Sequence, residues 1–391
     1  MNVPAGTTHT IDRTAGDTQR HPTSPVRATP EGTRRFADRF DDRFAADFYR
    51  DLDSRIVVSS MGMGTYLGEC DDDEDSRYVN VLTAGVQRGL NVVDTGINYR
   101  CQRSERAVGR AIHQAIGSGS ISRDEILVST KGGFVPLEGQ PPQSRDEYRA
   151  YLEREYFDRS VISPKDLVGG HCLKPRFIAD QIERSRTNLG IGCIDVFYVH
   201  NPEHQLETLG RAEFLAAMRD VFAELESQVA SGTIGVYGCA TWHGFRLFAA
   251  NRGHLSLVEL LQVARDAGGP GHHFRALQLP VNLAMTEAIR APTQQHDGKN
   301  FSILGLAREM GVDVFASASL MQAQLTHGLP AEAGVAFPSL TTDAQRAIAF
   351  VRSLPVASAL VGMKTVEHLE ENLVAGHQAQ PIKRSPRRPV S

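Results

Sequence analysis

Eight short apolar runs, each followed by a stretch with helical spacing, constrain the fold of this chain more than any other feature. The runs are RIVVSSMG, LNVVDT, EILVSTK, IDVFYVH, TIGVYGCA, ALQLPVN, VDVFASAS and ASALVGM. Strands separated by helices pair in parallel, because a crossover helix carries the chain back to the end where the strand began. Eight such units in one domain imply an α/β fold, a (β/α)8 TIM barrel.

The helices between the runs are read from caps and amphipathic spacing. DEDSRYVNVLTAGVQRG carries Val79, Leu82 and Val86 on one stripe, with Gly89 as a stop. In SERAVGRAIHQAIG, Ser104 is read as the cap and Ala107, Ile112 and Ala115 as the buried face. IADQIERSRTNLG, FLAAMRDVFAELESQVASG and TVEHLEENLVAG supply others. Residues 1–35 are rich in Thr, Pro, Gly and Arg and lack periodicity, so they are expected to form a mobile arm. The next segment places Phe36, Phe40, Phe44 and Phe48 at helical spacing, which predicts one helix packing its aromatic stripe on the barrel.

The domain reading is an arm and short helix over 1–50, a barrel over 51–376 and a basic, proline-rich solvated tail over 377–391. Between the third strand and its helix, residues 135–175 far exceed the few residues usual for such a loop. On the C-terminal side of the strands that insertion would overhang the pocket. A lid or substrate-selecting element is preferred to a subunit contact or decoration.

Composition narrows the function class. A net charge of −4 leaves no excess of positive charge to bind nucleic acid. No stretch approaches the roughly 18 apolar residues of a membrane span, and the start has no apolar signal core, so a cytoplasmic location is expected by default. Cys70, Cys101, Cys172, Cys193 and Cys239 form no CxxC pair, which argues against a disulfide framework or zinc ribbon. His171, Cys172, His204, His272 and His273 lack metal-ligand spacing, and no metal is expected.

Four residues at or just after strand-like runs point to chemistry: Asp94 and Tyr99 in NVVDTGINYR, Lys131 in EILVSTKGGF and His200 in IDVFYVHNPE. Loops after barrel strands converge on one face. Carbonyl reduction by hydride develops negative charge on oxygen and needs a proton donor. Tyr99 is the candidate donor. A phenol with an ordinary pKa near 10 needs neighbouring positive charge to give up its proton, which Lys131 can supply. Asp94 would pair the buried ammonium, and His200 would hydrogen-bond the substrate carbonyl. Taken singly, each of the four has a structural alternative as a cap, a solvated lysine or a packing ring; it is their joint occurrence that carries the reading.

These motifs resemble the aldo-keto reductase family from about Arg55 to Gly376. DTGINY is similar to the family's Asp-Thr-Ala-x-x-Tyr signature, with Gly96 where alanine is usual, and STKGG and YVHNP resemble its lysine and histidine motifs. The resemblance implies a catalytic tetrad of Asp94, Tyr99, Lys131 and His200, and NADP(H) lying across the barrel mouth. VGMKTVEHLEENLVA resembles the family's last strand-loop-helix motif. Carried over, Gly362, Lys364, Thr365 and His368 would lie along the 2′-phosphate loop, with Glu371 and Asn372 at the adenine. An ammonium near a helix N-terminus suits a phosphate dianion, which favours NADP over NAD.

By the same resemblance Gln278 would anchor the nicotinamide carboxamide. Where the family usually has Ser-Asn this chain has Ala240 and Thr241, which leaves Thr241 to make one hydrogen bond. VFASASLMQAQLT replaces the family's Tyr-Ser-Pro-Leu, with Ser317 and Ser319 as candidate pyrophosphate donors and Leu320 in an apolar position. Tyr66, Phe134 and Trp242 are candidate walls for a small carbonyl or alcohol substrate. The function implied is an NADP(H)-dependent oxidoreductase. The alternative is a nucleotide-binding regulatory or interaction subunit with the same fold.

Overall fold

The computed structural model describes residues 27–378, so the expectations for residues 1–26 and 379–391 lie outside it. Twelve strands are described. An antiparallel hairpin of β1 (Tyr49–Asp51) and β2 (Val57–Ser59) precedes the barrel strands β3 (Met61–Gly64), β4 (Val92–Asp94), β5 (Leu127–Gly132), β6 (Ile194–His200), β7 (Ile234–Ala240) and β8 (Phe274–Pro280). A small antiparallel pair, β9 (Gln294–His296) and β10 (Lys299–Phe301), interrupts before the last barrel strands, β11 (Asp313–Ser317) and β12 (Ser358–Gly362). The eight barrel strands close in the order β11-β12-β3-β4-β5-β6-β7-β8, all parallel, with β11 returning to β8.

The helices are α1 (Pro30–Asp38), α2 (Asp72–Gln87), α3 (Arg103–Gly117), α4 (Arg145–Leu152), α5 (Pro175–Leu189), α6 (Glu203–Leu209) and α7 (Arg211–Ala230). They continue with α8 (Leu257–Gly268), α9 (Glu287–Arg290), α10 (Ile303–Glu309), α11 (Ala331–Ala336), α12 (Asp343–Arg352) and α13 (Val366–Leu373). The expected barrel is therefore present. Among the described residues no helix is long and apolar enough to cross a membrane.

Strand parity divides the core in two, since successive side chains point to opposite faces. Val92, Leu127, Val196, Tyr198, Ala240, Ala276, Phe315 and Leu360 form one cluster inside the barrel. Val93, Val128, Phe197, Leu277, Val314 and Val361 face outward into the larger cluster shared with the helices. Leu52 and Val58 of the hairpin join the inner cluster and plug the N-terminal end.

Four expectations are corrected. The first barrel strand is Met61–Gly64, whereas the VVS of RIVVSSMG belongs to the plugging hairpin. The aromatic segment is not one helix: α1 ends at Asp38, Phe40 and Phe44 flank a 3-10 turn over Asp41–Arg43, and Phe48 leads into β1. Its packing nevertheless holds, because Phe36, Phe44 and Phe48 are buried and the Phe44 and Phe48 rings stack at 3.9 Å. Third, the arm is ordered from its described start. Ala28 donates its backbone N–H to Asp195 at 2.7 Å, and α1 begins at Pro30 because Thr29 caps it by accepting from Gly32 N–H. In α3, Ser104 is not the cap. Left-handed Gln102 holds that position, and the Ser104 hydroxyl donates to Thr65 O at 2.7 Å.

Candidate active site

Parity brings the site together. On β4 the inward positions run from Val92 to Asp94, on β5 from Leu127 through Ser129 to Lys131, on β6 from Val196 through Tyr198 to His200, and on β8 from Ala276 to Gln278. Each series starts in the inner cluster and ends in a polar residue at the C-terminal rim. In a barrel of this kind the C-terminal rim is where catalytic side chains collect.

Lys131 is 1% exposed at its side chain, and its ammonium donates to Asp94 Oδ2 and to Thr95 O, each at 2.6 Å. The other carboxylate oxygen of Asp94 accepts from Ser129 Oγ and from Gln278 Nε2, both at 2.7 Å. A buried ion pair is tolerated only when its remaining hydrogen-bonding capacity is met in this way. Burial is the largest single influence and works against the Lys131 charge, but the fields of Asp94 and Tyr99 and the hydrogen bonds to both together outweigh it, and the ammonium pKa is raised. Lys131 is a fixed cation.

That cation lies 4.7 Å from the centroid of the Tyr99 ring. Burial raises the Tyr99 phenol above its ordinary value, and Lys131 opposes the rise. Tyr99 therefore stays protonated at neutral pH, with a compensating charge in place for the phenolate. The His200 ring lies 5.9 Å from that of Tyr99, edge to face. Its pKa falls well below the ordinary value, through burial first and the Lys131 charge second. A neutral imidazole carries one N–H. The buried Nδ1 has no partner among the described residues.

Two supporting residues escaped the sequence reading. Ser129 was hidden among strand residues, although its parity with Lys131 marked it as inward. His171 lies 29 residues from His200 in the chain, yet its Nε2 donates to the His200 carbonyl at 2.7 Å. Gly133 stands between them at φ +143, where a Cβ would come within 2.7 Å of His171 Nε2 and 2.9 Å of the His200 oxygen. The second glycine of STKGG is thus a steric requirement.

The expected aromatic walls are at the rim. Tyr66 is exposed and meets the Tyr99 ring edge-on at 5.0 Å. Phe134 touches the rings of His200 at 5.2 Å, His171 at 4.9 Å and His204 at 5.3 Å. Trp242 is exposed just after β7, its backbone N–H donating to Glu203 Oε1 at 3.0 Å. The ends of the insertion meet the rim, where Gly139 N–H donates to Cys101 O at 3.0 Å and His171 closes beside His200; its middle is tied to α5, where Tyr156 packs on Phe177 and Glu155 pairs with Arg184.

The expected cofactor positions differ in readiness. Thr241 is 4% exposed with an unpartnered Oγ1, and Thr95 Oγ1 is likewise buried without a partner among the described residues. Gln278, 4% exposed, donates its amide N–H to Asp94 Oδ1 at 2.7 Å. Ser317 and Leu320 are half-buried. Ser319 is instead turned inward, 1% exposed, donating to Ala316 O at 3.3 Å. Left-handed φ values at Ala318, Met321, Gln322 and Ala323 redirect this loop. Near the chain's end Gly362 and His368 are exposed, Thr365 caps α13 through His368 N–H, Glu371 is half-buried and Asn372 buried. Lys364 is bound at 2.7 Å to Glu74 of α2.

Comparison with known proteins agrees with this geometry. Residues 60–246 match the model of the aldo/keto reductase family. An aldo-keto reductase of Fusarium vanettenii is 24% identical over 212 residues, 50% of this chain and 53% of that protein. An NADH-specific methylglyoxal reductase of Escherichia coli is 25% identical over 150 residues, 37% of this chain and 39% of that protein. These matches span well under two thirds of either relative. Among solved structures, an aldo/keto reductase from Klebsiella pneumoniae in complex with NADP and acetate superposes with a TM-score of 0.57 at 19% identity, covering 88% of this chain and 99% of that one. Over residues 60–246, just under half of its length, the chain resembles the aldo/keto reductase family, and the solved neighbours share its barrel fold.

Proposed function

We propose that this protein is an NADP(H)-dependent oxidoreductase that interconverts a small aldehyde or ketone and the corresponding alcohol. The observation that carries the reading is the Asp94–Lys131 pair at 2.6 Å with the Lys131 ammonium 4.7 Å from the Tyr99 ring. The array holds a neutral proton donor beside a fixed cation.

The residues at the mouth fit a nicotinamide cofactor. Thr241, Thr95 and Gln278 offer polar atoms to a carboxamide, and Lys364 with the N-terminus of α13 offers positive charge to a 2′-phosphate. NADPH bound there would supply the hydride. The name of the Escherichia coli relative shows that NADH specificity occurs among similar chains; Lys364 is what favours NADP here.

The chain's own residues do the rest. The His200 imidazole N–H orients the carbonyl, and Tyr99 gives its proton to the developing alkoxide, a step worth about 10²–10⁴ in rate. Lys131 stabilises the resulting phenolate, and Asp94 keeps Lys131 charged. In oxidation the ionised Tyr99 is the base. Tyr66, Phe134 and Trp242 suit an apolar substrate body.

The test is steady-state oxidation of NADPH against a panel of aliphatic, aromatic and sugar carbonyls. Turnover with at least one class supports the reading. Tight NADPH binding without turnover on any panel member would favour the nucleotide-binding regulatory subunit instead.

A further inference from the structure

The cysteines are not equally placed. Cys172, Cys193 and Cys239 are buried. Cys70, in the loop between β3 and α2, is half-buried, and Cys101, in the loop between β4 and α3, is buried with its sulfur 3.7 Å from that of Cys70. A disulfide needs sulfurs about 2.0 Å apart, so closure asks each side chain to move by only about an ångström.

Both loops lie on the catalytic rim. Cys101 follows Tyr99 by two residues, and the loop bearing Cys70 also bears Tyr66, whose ring abuts Tyr99 at 5.0 Å. The backbone around Cys101 is left-handed at three consecutive positions, Arg100, Cys101 and Gln102. Such a run of non-glycine residues marks a conformation held by its surroundings. The insertion supplies part of that hold: Gly139 N–H donates to Cys101 O, and the Gln140 amide donates to Cys70 O.

We propose that Cys70 and Cys101 form a dithiol modification site that exchanges with low-molecular-weight disulfides and closes to an intramolecular bond across the rim. Cys70 reacts first, being the more exposed. Its thiolate attacks one sulfur of the external disulfide, that S–S bond breaks, and the departing thiolate takes up the Cys70 proton. The Cys101 thiolate then attacks the Cys70 sulfur of the mixed disulfide and expels the second small thiol, which carries away the Cys101 proton. Two protein thiols are oxidised and one external disulfide is reduced to two thiols. Burial, with Cys70 adding to it, pushes the Cys101 thiol up to about 12, which keeps it from the first step; in the second, the Cys70 sulfur held 3.7 Å away makes the attack intramolecular.

Closure would tie the loop of Tyr66 to the loop of Tyr99 and displace the proton donor. An ångström of misplacement of a reacting group costs about a hundredfold, so turnover in the oxidised protein is expected to fall on the order of tenfold or more.

The test incubates the full chain with oxidised glutathione, alkylates the remaining thiols and maps the digest by mass. The expected product is a linked Cys70–Cys101 peptide pair carrying no glutathione. Cys70→Ser should leave Cys101 reduced, and Cys101→Ser should trap glutathione on Cys70. Both cysteines alkylated, or glutathione retained on Cys70 of the unmodified sequence, would overturn the site. NADPH-dependent turnover should fall on oxidation, recover with dithiothreitol and be insensitive in Cys70→Ser; a linked protein with undiminished turnover would overturn the coupling to Tyr99. The mapping needs no turnover, so its failure and that of the reductase reading are distinguishable.

Discussion

At the scale of residues, the site is built on charges that are buried but paired. Removing one partner of a buried ion pair leaves the other uncompensated, at about 3–5 kcal/mol. Lys131→Met should therefore lower unfolding stability by that amount, read by urea titration, and also abolish the cation beside Tyr99. The proposed carbonyl reduction would require Tyr99 protonated, and burial raises its pKa. The reductive rate should hold through neutrality and fall only at alkaline pH, beyond the ordinary phenol value of about 10; a pH–rate profile checks it. His171 titrates in the other direction, its pKa lowered by burial to about 4. Stability from its neutral state is fully present above the unfolded value and is lost as pH falls from 6.5 toward 4, about 3 kcal/mol in all. The urea midpoint of His171→Gln should fall less between pH 7 and pH 4.5 than that of the unmodified protein. Asp94, Lys131 and His200 were legible because they end apolar runs. His171 was not, since only the folded return of the insertion brings it to the His200 carbonyl.

Elements were legible in proportion to how locally they are determined. The barrel strands show as apolar runs, and Gly89, at φ +103, ends α2 as the stop that the pattern implies. Thr29-Pro30-Glu31 carries a local start signal for α1, but the low-complexity composition around it masked the cap. The four phenylalanines misled in the opposite way: their period matches a helix, yet tertiary packing collects them from a helix, a turn and an approach to a strand. The loop after β11 could not be read, because its four left-handed non-glycine residues leave no sequence signature. Barrel closure itself has a weak point at Gly238, beside the register shift between β7 and β8. A Cβ there would come within 1.7 Å of the Ala276 carbonyl oxygen. Gly238→Ala should cost more than about 3 kcal/mol, against under about 0.5 kcal/mol for Gly271→Ala, where a Cβ meets open space; thermal denaturation compares them. Between α2 and α13, Glu74 holds Lys364. Lys364→Ala should weaken NADPH binding about tenfold and NADH binding little, whereas Glu74→Gln should tighten NADPH, both by fluorescence titration.

At the scale of the whole molecule, closure of eight parallel strands makes a site from distant positions. Asp94 and Gln278 lie 184 residues apart, yet they hydrogen-bond at 2.7 Å because β4 and β8 present the same parity to one interior. The barrel was therefore legible from alternation alone, and Asp94, Lys131 and His200 from strand ends, with Tyr99 following β4 in the DTGINY motif. The insertion's path was not, because α5 and the rim compete for it and only packing decides. The central claim is that this rim transfers a proton from Tyr99 as hydride reaches a carbonyl. Its most direct test is a single-turnover measurement: unmodified protein and Tyr99→Phe, each loaded with NADPH, are mixed with a carbonyl that the panel shows to be turned over. Rapid loss of the reduced nicotinamide signal is expected in the first and a rate lower by about 10²–10⁴ in the second, with NADPH affinity retained. Equal rates in the two proteins would contradict it.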